Sequence, residues 1–192
     1  TNVFVGGAGS DTVSYADHAT DTSVTLDGVA NDGSAGENDS IATDIENVIG
    51  GTANDVITGD ANANVLADGA GGADTLTGGG GDDSLTATDG IDALSGGDGN
   101  DSMVGGDGAD TFAGGADTNT ASYSDHTLAV SASLDGVAND GAAGELDNIG
   151  VDVENLTGGT AADVLTGNAA ANTFDGGLGA DTVSGLTGLD TI

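Results

Sequence analysis

The chain has 192 residues, 33 of them Asp or Glu and none Lys or Arg, for a formal charge of -33. That balance disfavours nucleic acid and anionic membrane surfaces as partners, and neutralisation must come from protons, salt or bound metal. With 36% hydrophobic and 3% aromatic residues, a layered core of bulky side chains is not expected.

Low hydrophobicity with high charge also suits a disordered acidic tail. Here, however, the aspartates recur at fixed intervals rather than in blocks, which favours an ordered repeat. Cysteine is absent, so disulfides and thiolate metal sites do not contribute. No apolar run approaches the ~20 residues of a membrane-spanning helix, so membrane insertion is not expected. No basic and apolar leader or initiator Met is present at Thr1, which points to a processed product or a segment of a longer protein.

Residues 1–5 read as the end of a nine-residue unit, and a complete unit, GGAGSDTVS, follows at 6–14 with Asp11 at its sixth position and Val13 at its eighth. From 15 to 49 the pattern is interrupted. Alternation over 23–27 predicts a strand with Val24 and Leu26 on one face. The stretch 27–39 reads as an acidic, Gly-rich loop. A degenerate unit at 41–49 carries Glu46 in the aspartate place and Val48 in the apolar place.

Eight units then run from 50 to 122, with one extra residue in the third, which begins at Asp68. Their sixth positions are Asp55, Asn64, Asp74, Asp83, Asp92, Asp101, Asp110 and Asn119, and their eighth positions Ile57, Leu66, Leu76, Leu85, Leu94, Met103, Phe112 and Ala121. A second interruption, 123–157, copies the first at an offset of 108 residues, with LDGVANDG identical at 26–33 and 134–141. Further units begin at Gly158, Gly167, Gly176 and Gly185 and carry Asp163, Asn172, Asp181 and Asp190. The chain therefore divides into a first long repeat, 1–108, with its insert at 15–49, and a truncated second, 109–192, with its insert at 123–157.

Within a unit, glycines permit tight turns in which carbonyls face one concave loop, and the residues after the aspartate make a short strand with the eighth side chain inward. Two units close a coil of about 18 residues, and stacking sets each loop roughly 4.8 Å from the loop two units later. Carbonyl and aspartate oxygens from both loops then share a gap, which suits calcium with its six to eight hard oxygen ligands better than magnesium or zinc. Two carboxylates ~6 Å apart repel by roughly 3 kcal/mol at an effective dielectric of ~20, so a ladder of them is not expected to hold without metal.

The units at 6–14, 78–86, 96–104, 105–113 and 176–184 fit GGxGxDxUx throughout and resemble the calcium-binding nonapeptides of the RTX, or hemolysin-type, family. The segments DIENVIGG (44–51) and DVENLTGG (152–159) resemble the lead-ins to such arrays. The resemblance implies an all-β fold, a right-handed parallel β-roll or β-solenoid interrupted by the two inserts. It implies secretion by a type I apparatus and folding in millimolar calcium outside the cell or at its surface, with several Ca2+ bound. Carried over residue by residue, the ligand pairs are Asp83 with Asp101, Asp74 with Asp92 and Asp92 with Asp110, then Asp55 with Asp74 and Asp163 with Asp181. Asp11 and Asp190 complete the set, and Gly79, Gly81, Gly97, Gly99, Gly106 and Gly108 supply loop oxygens. Asn64, Asn119 and Asn172 depart from the pattern by lacking the charge. Asp101 and Asp110 fall on opposite edges of one coil and are not expected to share an ion.

Other readings are weaker. His18 and His126 follow acidic residues in SYADH and SYSDH, yet no oxyanion signal supports a Ser-His-Asp triad, and a structural role at a loop corner is expected. Carboxylate pairs for glycoside cleavage can be drawn anywhere in so acidic a chain. The acidic loops 27–39 and 135–147 do not fit an EF-hand, because the sixth position is Asp32 and the twelfth Asn38; an extra calcium site and a solvated loop are both open. The absence of lysine excludes the usual phosphate loop. Outward Thr and Ser ladders admit ice binding, although such residues suit exposed strands anyway. The expected function is a non-enzymatic, calcium-dependent structural segment, an adhesin stalk or a filament. For the filament, the expected contact is head-to-tail between copies, since the chain starts mid-unit and stops at Ile192 uncapped. A secretion and folding segment of a larger enzyme is the alternative.

Overall fold

The computed structural model describes every residue, Thr1–Ile192, and consists of short strands joined by turns, without a helix. Strand identity follows from the end of each unit. In Ser84–Thr86 and Ser102–Val104 the central Leu85 and Met103 are fully buried while their neighbours face outward or sit half-buried. Period-two alternation with one apolar residue inward is what a sheet packed on one face requires.

Successive strands alternate between two facing sheets. One sheet stacks Thr22–Thr25, Val56–Thr58, Thr75–Gly80, Ala93–Asp98, Thr111–Ala116 and Asn148–Ile149 in parallel. The opposite sheet stacks Thr12–Ser14, Asn47–Ile49, Val65–Ala67, Ser84–Thr86, Ser102–Val104, Thr120–Ser122, Asn155–Thr157 and Thr173–Asp175. A three-stranded sheet of Ser131–Ser133, Val164–Thr166 and Thr182–Ser184 accompanies the C-terminal coils. This is a parallel β-roll.

Register is set by the inward ladders. Leu76 pairs with Leu94 and Leu94 with Phe112 in one sheet, while Leu66, Leu85, Met103 and Ala121 align in the other. A slip of one residue would turn every one of these side chains to solvent. The ladders merge into one core of 25 buried residues running through both inserts.

The inserts join the roll rather than leave it. Thr22–Thr25 lies beside Val56–Thr58 with Val24 opposite Ile57, as the alternation predicts. The stretch 27–39 differs from a plain loop: Ala30–Ser34 pairs antiparallel with Thr22–Thr25 and with Asp39–Ile41. The cause is Asp32, whose buried carboxylate accepts the Thr25 and Ile41 N–H groups at 2.7 and 3.1 Å and ties the hairpin to the core strands. Asp140 does the same for Ser133 and Ile149 in the second copy.

Glycine is obligatory where coils touch. Gly97 has φ +114°, and a β-carbon there would lie 2.2 Å from the Gly79 carbonyl oxygen one coil back. Core packing generates a direct expectation. Leu94→Ala should lower the stability of the calcium-saturated protein by ~2–5 kcal/mol in chemical denaturation, whereas Leu178→Ala, at a residue 70% exposed, should leave the midpoint unchanged.

Candidate metal centre

The sixth-position residues form two ladders, one along each edge of the roll. On the first edge, Asp83 donates its N–H to Asp101 Oδ1 at 2.8 Å, while Asn64 donates to Asp83 Oδ1 and Asp101 to Asn119 Oδ1. On the second, Asp55 donates to Asp74 Oδ1, Asp74 to Asp92, Asp92 to Asp110 and Asp110 to Asp147, at 2.6 to 2.8 Å. Each rung spans one coil, 18 residues in the regular stretch.

Each rung uses only Oδ1. The second oxygens of Asp74, Asp83, Asp92, Asp101 and Asp110 are buried and accept no hydrogen bond, and Asp11 Oδ2 shares that condition. A β-carbon on Gly78 would meet Asp83 Oδ2 at 2.1 Å and the Gly96 carbonyl oxygen at 2.6 Å; one on Gly96 would meet Asp101 Oδ2 at 2.1 Å and Gly114 O at 2.7 Å. The free carboxylate oxygen and a carbonyl of the next coil thus converge where only glycine leaves room. The loop carbonyls stack likewise, with Gly79 O against Gly97, Gly81 O against Gly99 and Gly90 O against Gly108. Thr88 O sits against Gly106.

Buried oxygens without donors are costly, and for ionised carboxylates the cost is relieved only by a proton or a cation. Burial lifts Asp83 to about 6, Asp74 to about 7 and Asp110 to about 8; the accepted backbone N–H opposes the lift and neighbouring carboxylates add to it. Asp92 and Asp101 rise for the same primary reason. The side chains offer no cation except His18 and His126, and with the Thr1 amino group these account for every ion pair in the chain. Oxygen-only donors, converging from two loops in a site that excludes water, fit calcium.

The other residues of the ladders fare differently. Asp55 and Asp163 have both oxygens engaged: Oδ1 accepts the Thr22 or Val130 N–H, and Oδ2 accepts Gly51 or Gly159. These donors come from the insert strands and from the turn of the same unit. Asp181 and Asp190 accept the Asp163 and Asn172 N–H groups at 3.0 and 3.1 Å but are partly exposed. The asparagines close their gaps by themselves. Asn64 Nδ2 donates to Glu46 O, Asn119 Nδ2 to Ala116 O and Asn172 Nδ2 to Glu154 O, so no orphaned oxygen remains at these rungs.

Glu46 and Glu154 substitute as rung acceptors for the Asp11 and Asn119 N–H groups. Glu154 and Asp147 lie outside the regular units, so periodicity alone does not single them out. Asp68 is also outside the expected set: it holds the first position of a unit, where the pattern has glycine, and it is fully buried with Oδ1 unpartnered.

No serine hydrogen-bonds to either histidine ring. His126 Nδ1 faces Asp125 Oδ1 at 3.0 Å and Nε2 faces Glu145 Oε2 at 3.2 Å, with the ring edge-on to Tyr123 at 5.1 Å. Burial lowers its pKa, and the two carboxylates outweigh that, leaving His126 above its ordinary value. His18 repeats the arrangement with Asp17, Glu37 and Tyr15. These are corner clasps between insert segments.

The family model described as the RTX calcium-binding nonapeptide repeat matches the chain in four copies, over residues 42–71, 66–94, 86–121 and 154–192, more than half its length. Such repeats bind multiple calcium ions. Comparison with curated proteins gave no match.

Two outcomes are expected. Because Asp74, Asp83 and Asp110 titrate higher in the folded chain than the ordinary 3.8, folding takes up protons, and the stability of the calcium-free chain falls as pH rises from about 4 to about 8. In chelator, circular dichroism should therefore show β-structure gained as pH is lowered from 8 to 5, while the calcium needed to saturate the folded chain rises over the same range because protons compete for the same carboxylates. Second, Asn64→Asp replaces the Nδ2 donor, which faces the Glu46 carbonyl, by a charged oxygen and should raise the calcium stoichiometry by about one ion by elemental analysis.

Proposed function

The chain belongs to the RTX calcium-binding nonapeptide repeat family, and from that premise we propose that it is an extracellular spacer segment whose folding is switched on by calcium. At the coarser level it is a calcium-binding structural β-roll. The observation that carries the finer reading is the file of buried, unpartnered carboxylate oxygens along both edges. A fold with those groups in its interior, and no lysine or arginine to meet them, is stable only while something outside the chain supplies positive charge.

Calcium at extracellular concentration is matched to oxygen-rich protein sites with dissociation constants of roughly 0.1 to 1 mM. Inside a cell, where free calcium is scarce, the same chain stays unfolded and fit for export. The roll grows by repetition, each coil resting on its neighbours and adding about 4.8 Å of length. Such an element suits a stalk or filament that holds a functional part away from a surface.

In this reading the aspartates at 74, 83, 92, 101 and 110 carry the charge that calcium neutralises. The loop carbonyls of Gly79, Gly81, Gly97, Gly99, Gly106 and Gly108 complete the oxygen shell. When bound, calcium supplies electrostatic neutralisation and cross-links successive coils. The Oδ1 rungs orient each carboxylate, and the core ladders set the register that brings the loops together.

The test is far-UV circular dichroism across a calcium titration. A disordered spectrum in chelator should become β-rich as calcium approaches the millimolar range, with no transition at equal magnesium. A β-rich spectrum in chelator at pH 8 would sink the mechanism.

A further inference from the structure

Asp68 is the point where the chain breaks its own pattern most sharply. In regular units the first position has no room for a side chain, as the close approaches at Gly78 and Gly96 show. The unit opening at Asp68 has one residue more than nine, and there an aspartate fits with no exposed surface at all. One of its oxygens holds the next coil in place where that loop lacks the usual glycine, since Oδ2 accepts the Thr88 N–H at 2.8 Å and the Thr88 hydroxyl at 3.3 Å. A neutral acceptor would do this equally well.

The other oxygen has no such structural role. Asp68 Oδ1 is buried without a donor, and so are Asp74 Oδ2 and Asp92 Oδ2. Asp68, Asp74 and Asp92 each bring a ligand atom within 4.8 Å of the others, all three side chains being buried. Between Asp83 and Asp101 on the opposite edge only two carboxylates share a gap. Three convergent carboxylates form a harder and more negative oxygen set than the repeat pattern itself provides.

From this geometry we infer that Asp68, Asp74 and Asp92 hold a single calcium ion between three carboxylates, and that this is the chain's tightest calcium site, the first to fill and the last to empty. The inference rests on the calcium-driven reading above and adds to it a residue, a charge count and an order of loading. Affinity for calcium rises with the number of charged ligands in a site of fixed geometry. Filling this gap first would also join the loops at Asp68, Asp74 and Asp92 near the middle of the chain, so that coils on either side add to an ordered template.

The experiment is calcium titration against a chromophoric chelator, with Asp68→Asn, Asp68→Gly and Asp98→Asn compared with the unaltered chain. Asp68→Asn keeps an acceptor for Thr88. Asp68→Gly restores the residue of the repeat pattern. Asp98→Asn removes one exposed charge elsewhere. The expected result is that both Asp68 variants lose the tightest class of site, one ion binding at least about tenfold more weakly, while the remaining sites and the Asp98 variant are unchanged. An unchanged tight class in Asp68→Asn, or an equal loss in Asp98→Asn, overturns the inference.

If neither Asp68 variant folds, the unaltered chain still decides. Crystals grown with one equivalent of terbium should place the strongest anomalous peak between Asp68, Asp74 and Asp92, and a strongest peak elsewhere rejects the site. Failure of the unaltered chain to fold with calcium would instead reject the broader functional reading.

Discussion

A carboxylate with one oxygen tied to the backbone and the other left over is the constraint from which the rest of this structure follows. The Oδ1 rung fixes the rotamer of each aspartate, because the Asp83 N–H meets Asp101 and the Asp74 N–H meets Asp92 one coil on. With the rotamer fixed, Oδ2 cannot swing out to water, and it stays buried against glycine and carbonyl. The hydrogen bond that builds the ladder thereby creates the charge problem that a cation must solve. Apolar burial sets the register, but it is supplied by about one large side chain per strand, too little to offset a column of unpaired charges.

Asparagine shows how the same scaffold closes without an ion. At Asn64, Asn119 and Asn172 the amide Nδ2 bonds to a nearby carbonyl while Oδ1 accepts the Asp60, Asp101 and Asn168 N–H groups respectively. A single exchange of oxygen for nitrogen converts an ion-dependent rung into a self-sufficient one. Asp55 and Asp163 reach a similar closure because the insert brings a backbone N–H to Oδ1 and the turn of the same unit brings one to Oδ2.

Much of this was legible in the sequence, because a nine-residue period with two units per coil determines which residues become neighbours. The inward ladder from Ile57 to Ala121 and the relation of Asp83 to Asp101 follow from counting. What counting misses depends on contacts between segments that break the period. One of the two donors that saturate Asp55 and Asp163 lies 33 residues upstream, in an insert whose place beside the sheet no nonapeptide announces. The hairpin at Ala30–Ser34 depends on one buried carboxylate, Asp32, in a stretch whose composition reads as loop. Asp68 was hidden by its position, since a unit is recognised by what stands at its sixth place rather than its first.

The two edges of the roll are not equivalent. Asp74, Asp92 and Asp110 follow one another without a break on one side, joined there by Asp68, whereas on the other Asp83 and Asp101 stand between the self-closed rungs of Asn64 and Asn119. Repulsion that is stronger along one side of a rod acts off its axis, as a bending moment rather than a simple extension. A stage of calcium loading that leaves the sides unequally neutralised therefore leaves such a moment in place, and full loading removes it. On the calcium-driven reading, the order in which the two edges fill then bears on the balance of forces along the roll as well as on its stability.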